Sequence, residues 1–186
     1  TAGDTVAIFG GGGVGLSTVM GAVLAGASRI VVVDRNPDKD AMCRSFGATD
    51  VVITDDLNDA VSAIREATDG RGVDYVFDAV GLAAIESVLL DCLAPAGTAV
   101  LVGIPSTGTA FEVDAIDFIR REKVLTGSIF GSADTTRDFV DYAQRYLDGR
   151  LPIDRLVTER YRLEEINEAC DAMLTGGVGR GVIVFD

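Results

Sequence analysis

Short runs of consecutive apolar residues recur along the chain, and segments with helical spacing separate them. A strand with one solvated face alternates apolar and polar residues, whereas a strand buried on both faces is apolar throughout. Continuous runs of this kind are typical of a parallel sheet that helices cover on both sides. The predicted strands comprise residues 6–9, 30–33, 51–53, 75–80, 99–104 and 124–130.

Helical segments are predicted after each of the first five strands. The first ends at Gly26, and the second has Asn36 as its cap, Pro37 in its first turn and Gly47 at its end. Strand and helix alternating in this order predict an α/β fold: a Rossmann doubly wound six-stranded parallel sheet with right-handed crossovers. The other three helices are predicted over residues 57–67, 83–93 and 114–121.

A more charged segment follows Phe130. We therefore predict a first domain over residues 1–131 and a C-terminal segment over 132–186. The C-terminal segment is predicted to contain a helix over 135–147, a strand over 157–161, a helix over 163–174 that Gly176 and Gly177 close, and a final strand over 182–185.

Composition narrows the possible functions. Of the 186 residues, 48% are hydrophobic, which is enough to bury a full core. Lys and Arg total 16 against 29 Asp and Glu, and the net charge of −13 opposes sequence-independent binding to nucleic acid or to an anionic membrane. No apolar run approaches the ~20 residues of a membrane-spanning helix.

The number and spacing of cysteine and histidine residues indicate the cellular compartment of the protein and whether the chain could bind zinc. Cys43, Cys92 and Cys170 are far apart in sequence, and the chain has no histidine. This pattern favours reduced thiols in a cytoplasmic protein and argues against a local zinc site. The chain does not begin with Met, and its first predicted strand starts almost at once, so we expect it to be a piece of a longer protein.

The sequence VAIFGGGGVGLS places a glycine-rich segment between the first strand and the first helix. The pattern G-x-G-x-x-G falls on Gly10, Gly12 and Gly15. In dinucleotide-binding proteins these positions allow a tight turn, the approach of a pyrophosphate and close packing of helix on strand. The helix beginning near Val14 would direct its free N–H groups at the phosphates. The alternative is a glycine-rich loop that joins strand to helix and binds no ligand.

Asp34 supports the dinucleotide interpretation. It ends the run IVVVD, 19 residues after Gly15, where an acid is expected to accept hydrogen bonds from the adenosine ribose and to repel the 2′-phosphate of NADP. The alternative role is a cap or turn residue before Asn36 and Pro37. Arg35 is a residue type that can tolerate the phosphate of NADP, but the acid favours NAD.

Several motifs in order give the chain a family resemblance: GDTVAIFGGGGVGLS, VVVDRNPDK, FGATD, VDYVFDAVG, VLVGIP, GSIFGS, DGRLPIDRLVTERYRLEEINEACDAM and GRGVIVF. Together they resemble the C-terminal, coenzyme-binding half of the zinc-dependent medium-chain alcohol dehydrogenases, over essentially the whole chain. Within that family the chain is similar to the class of glutathione- and mycothiol-dependent formaldehyde dehydrogenases.

The resemblance implies a set of coenzyme-binding residues along one edge of the sheet. It places the pyrophosphate at the glycine segment, the adenosine ribose at the end of the second strand, and the nicotinamide at the ends of the fourth to sixth strands, with an arginine for the pyrophosphate in GRG. For the lysine and the arginine the alternative is a solvated side chain, and for the apolar residues a place in the core. The implied residues are Gly10, Gly12, Gly13, Val14, Gly15, Asp34, Arg35, Lys39, Val80, Gly81, Val102, Gly103, Ile104, Ser128, Ile129, Phe130 and Arg180.

The resemblance also implies what lies elsewhere. In the family, the catalytic zinc ligands and the proton relay belong to the domain that precedes this half, so we expect no catalytic residue and no metal ligand here. The three cysteines match no ligand position and are interpreted as core or surface residues. The parent enzyme is expected to bind NAD and zinc, to act on an alcohol or aldehyde, and to form a homodimer through the sixth-strand edge of the sheet. The segment 132–186 would lead back to the missing domain.

Two other hypotheses stay open from the sequence, and the second of them covers two kinds of protein. One is the coenzyme domain of a zinc-free reductase of the quinone or enoyl type, in which the position of Asp34 is usually small or basic. The other is a non-enzymatic nucleotide-sensing Rossmann module, or a methyltransferase with a glycine loop and a ribose acid. A sensor has no evident need for the long segment after Phe130, which argues against that class.

Overall fold

A six-stranded parallel sheet forms the centre of the first part of the chain. The computed structural model describes residues 1–174, 176 and 179–185. Its strands are β1 (Thr5–Phe9), β2 (Arg29–Asp34), β3 (Asp50–Ile53), β4 (Val73–Asp78), β5 (Leu93–Leu101) and β6 (Val124–Gly127). They lie in the order β3-β2-β1-β4-β5-β6, which is the Rossmann order and confirms the predicted fold.

Helices connect these strands, and local sequence signals fix where several of them begin. Asn36 accepts a hydrogen bond from the amide of Asp38 at the start of a short 3₁₀ turn, Pro37–Lys39. Asp56 and Asp114 cap the third and fifth helices with their side chains. The helices are α1 (Gly13–Ala25), α2 (Asp40–Phe46), α3 (Leu57–Glu66), α4 (Ala83–Glu86) and α5 (Ala115–Arg120).

The middle strands are buried on both faces, which explains their continuous apolar sequence. In β1, Ala7, Ile8 and Phe9 are buried, and in β2 Val31 and Val32 are buried as well. Helices on both sides supply the covering layers, as expected for a parallel sheet. The carboxyl ends of the strands therefore meet at one edge of a rigid core.

The fourth and fifth strands begin earlier than predicted: β4 begins at Val73 instead of residue 75, and β5 at Leu93 instead of residue 99. Strand β5 begins at Leu93, which pairs with Val73, and the next pair along the ladder is Tyr75 with Thr98. The residues between Leu93 and Thr98 form an irregularity that contains Pro95 and Ala96, the latter at a φ of 61°. Because the chain must enter β5 this early, the helix predicted over 83–93 is reduced to α4 and a 3₁₀ turn, Leu89–Cys92.

The sixth strand is shorter than predicted. It ends at Gly127, and the amide of Ser128 donates to the carbonyl of Leu101 at the end of β5. Phe130 and Gly131 then have φ values of 51° and 66°, a left-handed conformation that turns the chain away from the sheet.

The chain contains two compact units, Thr1–Ala133 and Asp134–Asp186. The second unit includes a two-stranded parallel sheet, formed by β7 (Val157–Tyr161) and β8 (Arg180–Ile183). A 3₁₀ turn, Leu163–Glu165, forms the first part of the helix predicted over 163–174, and Gly177, predicted to help close that helix, lies outside the described residues. The unit's elements are α6 (Thr135–Leu147), β7 (Val157–Tyr161), α7 (Ile166–Leu174) and β8 (Arg180–Ile183).

Within the residues that the structure describes, no helix combines the length and the apolar character needed to cross a membrane.

Candidate functional site

The glycine segment joins β1 to α1 at the carboxyl edge of the sheet. Gly10 has a φ of 99° and donates its amide to the carbonyl of Val33, which ties the turn to β2. A Cβ on Gly15 would lie only 1.7 Å from the carbonyl oxygen of Gly10. These two glycines are therefore required by the turn and by the close approach of helix to strand.

Gly12 differs from its neighbours because the fold does not require it. It precedes α1 with an ordinary φ of −82°, and a Cβ there would meet no other described atom within 4 Å. No described side chain caps this end of α1, and the first turn, which begins at Gly13 and Val14, contains no acidic residue. The positive end of the helix dipole therefore has no side-chain cap, and the space beside Gly12 is open, as an anion site needs.

Asp34 lies beside this helix end. One of its carboxylate oxygens, Oδ2, accepts a hydrogen bond of 2.7 Å from the amide of Gly11. The other, Oδ1, accepts one of 2.9 Å from the amide of Asn36. The two contacts fix the carboxylate next to the glycine segment, and lone pairs on both oxygens remain for further donors. Asp34 is thus part of the turn, as the alternative held, and is also placed to accept hydrogen bonds from a ligand.

The motif G-x-G-x-x-G accepts any residue at the position of Gly11, so it did not identify Gly11 as a functional glycine. A Cβ on Gly11 would lie 2.8 Å from Sγ of Cys43, 3.2 Å from Oδ2 of Asp34 and 3.5 Å from Cβ of Lys39. The four residues therefore form one packed cluster under the turn. The only signal in the sequence was the run of four glycines, because the partners of Gly11 come from β2 and α2.

Lys39 and Cys43 are buried in this cluster. Lys39 is 5% exposed, so the alternative of a solvated lysine is wrong, whereas Arg35 is exposed. Burial, together with the charge of Asp34, raises the pKa of the Cys43 thiol to about 11. Cys43 is therefore a protonated packing residue at neutral pH. Cys92 is also a buried free thiol, and Cys170 is an exposed one.

A second cluster lies at the ends of β4 and β5. Asp78, fully buried, accepts hydrogen bonds at Oδ1 from the amides of Val80 at 2.8 Å and Gly81 at 3.1 Å. Its main-chain carbonyl accepts the amides of Val102 at 3.0 Å and Gly103 at 2.9 Å. Asp78 was not among the predicted site residues, although an acid at the end of a buried strand was the available signal.

The two loops that Asp78 holds touch each other. A Cβ on Gly103 would lie 2.1 Å from the amide nitrogen of Gly81, and a Cβ on Gly81 would lie 2.7 Å from that of Ile104. A Cβ on Gly10 would lie 2.8 Å from Cγ2 of Val80, so the second cluster adjoins the glycine segment. The first unit thus brings most of the candidate residues onto one edge of the sheet.

The apolar candidates at this edge are not core residues. Ile104, Ile129 and Phe130 are 77%, 60% and 90% exposed, so the core alternative is wrong for them. The amides of Val102 and Ser128 donate to the main-chain carbonyls of Asp78 and Leu101. Arg180 opens β8, pairs with Val157 and is exposed, and it belongs to the second unit.

In the described part of the chain, no group of three or more His, Cys, Asp or Glu side chains is arranged to hold a metal ion.

The sequence model of the zinc-binding dehydrogenases matches residues 13–145. The chain belongs to this family. The match confirms the resemblance drawn from the motifs, and it covers α1, the carboxyl ends of β2, β4 and β5, and most of α6.

Individual relatives agree with the family. The chain is 36% identical to alcohol dehydrogenase-like 7 of Arabidopsis thaliana over 184 residues, which is 97% of this chain and 47% of that protein. It is 36% identical to geraniol dehydrogenase of Castellaniella defragrans over 183 residues, 98% of this chain and 48% of that protein. The crystal structure of benzyl alcohol dehydrogenase from Acinetobacter calcoaceticus is similar with a TM-score of 0.94 and 30% identity, over 100% of this chain and 51% of that one. The chain thus spans about half the length of the curated relatives it matches.

Proposed function

We propose that the chain is the NAD-binding half of a zinc-dependent dehydrogenase that oxidises an alcohol to a carbonyl compound. The observation that carries the proposal is the open space at Gly12, a glycine that the fold does not require, between the uncapped end of α1 and the fixed carboxylate of Asp34. This combination provides a phosphate site and a ribose acceptor at one strand edge.

The adenosine half of the coenzyme is assigned to β1 and β2. The amides of Gly12, Gly13, Val14 and Gly15 bind the pyrophosphate, with the side of Gly12 left clear for its approach. Asp34 accepts the ribose hydroxyl groups through the lone pairs that Gly11 and Asn36 leave free. A fixed negative charge at that position repels a 2′-phosphate, and this is why we favour NAD over NADP.

The nicotinamide half is assigned to the ends of β4, β5 and β6. A dinucleotide that crosses a Rossmann sheet extends from the first strand pair to the second, which brings its other ring over the loops at 80–81 and 102–104 and towards 128–130. Exposed Val80 and Ile104 give that surface the apolar character that suits a flat ring. Arg35 and Lys39, which follow Asp34 in the chain, complete the set of proposed coenzyme residues in the first unit.

Bound NAD supplies the hydride acceptor, and we place the zinc ion, a Lewis acid for the alcohol oxygen, on the part of the enzyme outside this chain. The residues of this chain bind and orient the coenzyme, and we assign none of them a catalytic role. The buried free thiols of Cys43 and Cys92 support a cytoplasmic location.

We also propose that the enzyme is a homodimer. In the described sheet β6 has a neighbour only on the β5 side, and Val124 on this strand is exposed. Pairing of two such edges would satisfy the free backbone groups of both. Light scattering of the concentrated protein tests this, and a monomer would contradict it.

Calorimetric titration with NAD and NADP tests the coenzyme assignment. We expect the wild-type chain to bind NAD more tightly, and Asp34→Asn to reduce the NAD-to-NADP affinity ratio by about tenfold, or 1.4 kcal/mol. Asparagine keeps one acceptor oxygen, which can still take the amide of Gly11, but its NH2 group cannot accept the amide of Asn36. The change therefore removes the charge and one of the two hydrogen bonds that hold the side chain. The matched control is Asp38→Asn, which removes a nearby exposed charge and should leave the ratio unchanged.

Two results would contradict the proposal. A wild-type chain that binds neither nucleotide would refute the coenzyme site itself. An unchanged affinity ratio in Asp34→Asn would refute the role of Asp34 as the selector.

A further inference from the structure

Asp78 is the one fully buried carboxylate in the described part of the chain, and the proposed function gives it no contact with ligand. Its side chain holds the β4 loop through Val80 and Gly81, and its carbonyl holds the β5 loop through Val102 and Gly103. A buried charge is costly unless it is hydrogen-bonded, and here backbone amides supply the bonds.

The two loops depend on this residue for their spacing. Their backbones are too close for side chains, since a Cβ on Gly103 would lie 2.5 Å from the carbonyl carbon of Val80 and 2.1 Å from the amide nitrogen of Gly81. Hydrogen bonds from both loops converge on Asp78, which sits at the end of β4 between them. Without its carboxylate, the amides of Val80 and Gly81 would be left without their acceptor and the β4 loop would move.

The glycine segment is held independently of Asp78. Gly10 is fixed by its bond to Val33 and by its contact with Gly15, and Gly11 by its bond to Asp34. Displacement of the β4 loop would therefore affect the second half of the strand edge much more than the first, although Val80 adjoins both.

We propose that Asp78 is a positioning residue that sets the floor of the nicotinamide site, and that it acts on the nicotinamide half of the coenzyme without contributing to the adenosine half. This inference rests on the proposed function. Small displacements of an orienting group weaken binding and alignment even when the displaced group is not itself reactive.

The test compares NADH with ADP-ribose, which lacks the nicotinamide ring, in calorimetric titrations of the wild-type chain, Asp78→Ala and Asp78→Asn. We expect the wild-type chain to bind NADH more tightly. In Asp78→Ala the NADH-to-ADP-ribose affinity ratio should fall about tenfold while ADP-ribose affinity changes less than about twofold. Asparagine retains one acceptor oxygen for the loop, so Asp78→Asn should lower the ratio only about threefold.

The fluorescence of bound NADH gives a second measurement. A ring fixed against protein emits more strongly than a mobile one, so we expect the enhancement to be largest in the wild-type chain, intermediate in Asp78→Asn and smallest in Asp78→Ala. Glu86→Gln is the matched control, because Glu86 is a buried carboxyl group on α4 whose charge interacts with that of Asp78. It should leave both the ratio and the fluorescence unchanged.

Several outcomes would overturn the inference. Equal losses of NADH and ADP-ribose affinity would show a general structural role, and an unchanged ratio would show no role. Equal wild-type affinities for the two ligands would show that this surface does not bind the ring. If Asp78→Ala does not fold, an unaltered ratio in Asp78→Asn overturns the inference. A wild-type chain that binds neither ligand would instead refute the proposed function.

Discussion

Neighbouring glycines in the loop after β1 serve different purposes. Gly10 adopts a positive φ, Gly11 makes room for Cys43, and Gly15 lets α1 approach β1. Gly12 has open space beside it and an ordinary backbone conformation. Gly10, Gly11 and Gly15 therefore serve the fold, whereas the missing side chain of Gly12 favours a ligand.

A pair of alanine substitutions separates these purposes. Gly15→Ala places a Cβ against the carbonyl of Gly10 and should destabilise the chain by about 3 kcal/mol or more. Gly12→Ala should cost less than about 1 kcal/mol, since alanine is only a poorer cap than glycine. It should still weaken NAD binding about tenfold, because the new methyl group occupies the space for the phosphate.

Urea unfolding followed by circular dichroism measures the stability of both variants, and calorimetry measures NAD affinity in Gly12→Ala. Wild-type NAD affinity in Gly12→Ala would contradict the assignment of the phosphate to this position.

Sequence spacing identified the residues that follow a linear pattern and missed those with distant partners. Gly10, Gly12, Gly15 and Asp34 could be placed from the order of strand, glycine motif and acid. Gly11 could not, because the need for it arises from Cys43, which reaches it only in the folded chain. Asp78 had a local signal, an acid at the end of a buried strand, but its main-chain contact with the β5 loop arises only on folding. The burial of Lys39 was unpredictable for the same reason.

A polar contact joins the amino-terminal ends of β1 and β4. Oδ2 of Asp74 accepts hydrogen bonds from the amide of Thr5 at 2.8 Å and from its hydroxyl at 2.9 Å, and Arg71 donates to Oδ1 at 2.7 Å. Burial by itself would raise the pKa of Asp74, but the hydrogen bonds from Arg71 and Thr5 outweigh it and lower the pKa to about 2. The ionised carboxylate therefore stabilises this pair of strands.

This contact predicts a pH dependence of stability. The pKa of Asp74 is lower in the folded chain than in the unfolded chain, so its stabilisation is complete above about pH 4 and is lost as the pH falls towards 2. Between those values the wild-type chain should lose about 1 kcal/mol more stability than Asp74→Asn, after allowance for solvent screening.

Urea unfolding at a series of pH values provides the measurement, with the exposed Asp55→Asn as the control that should behave like the wild-type chain. Parallel pH profiles for the wild-type chain and Asp74→Asn would contradict the assignment.

The bounds of helices and strands were predicted correctly where the local sequence alone determines them. Helix α6 and strand β7 have the predicted bounds, because each is a clear periodic segment with a capping residue or turn before it. The prediction for residues 83–101 was wrong in part. The pairing of Leu93 with Val73 overrides the local helical pattern, so β5 starts at Leu93, earlier in the chain than predicted. A contact between strands that are distant in sequence has no local signature.

The carboxyl edge of the six-stranded sheet in the first unit combines the features that bind a dinucleotide. The strand order reverses between β1 and β4, and the glycine segment and the loops held by Asp78 lie on either side of that point. The sequence predicted this architecture because strand alternation and motif order determine it. The substrate could not be predicted, because the chain spans about half the length of its relatives and the family resemblance implies that the catalytic residues lie outside this half.

The most direct test of the account is to follow the backbone amide resonances of the chain during titration with NAD. We predict that the largest shifts fall on residues 10–15, on the residues next to Asp34, and on the loops at 80–81 and 102–104. Shifts concentrated at the surface hollow that Arg44, Asp50 and Glu66 help to line, or no shifts at saturating NAD, would contradict the coenzyme site described above.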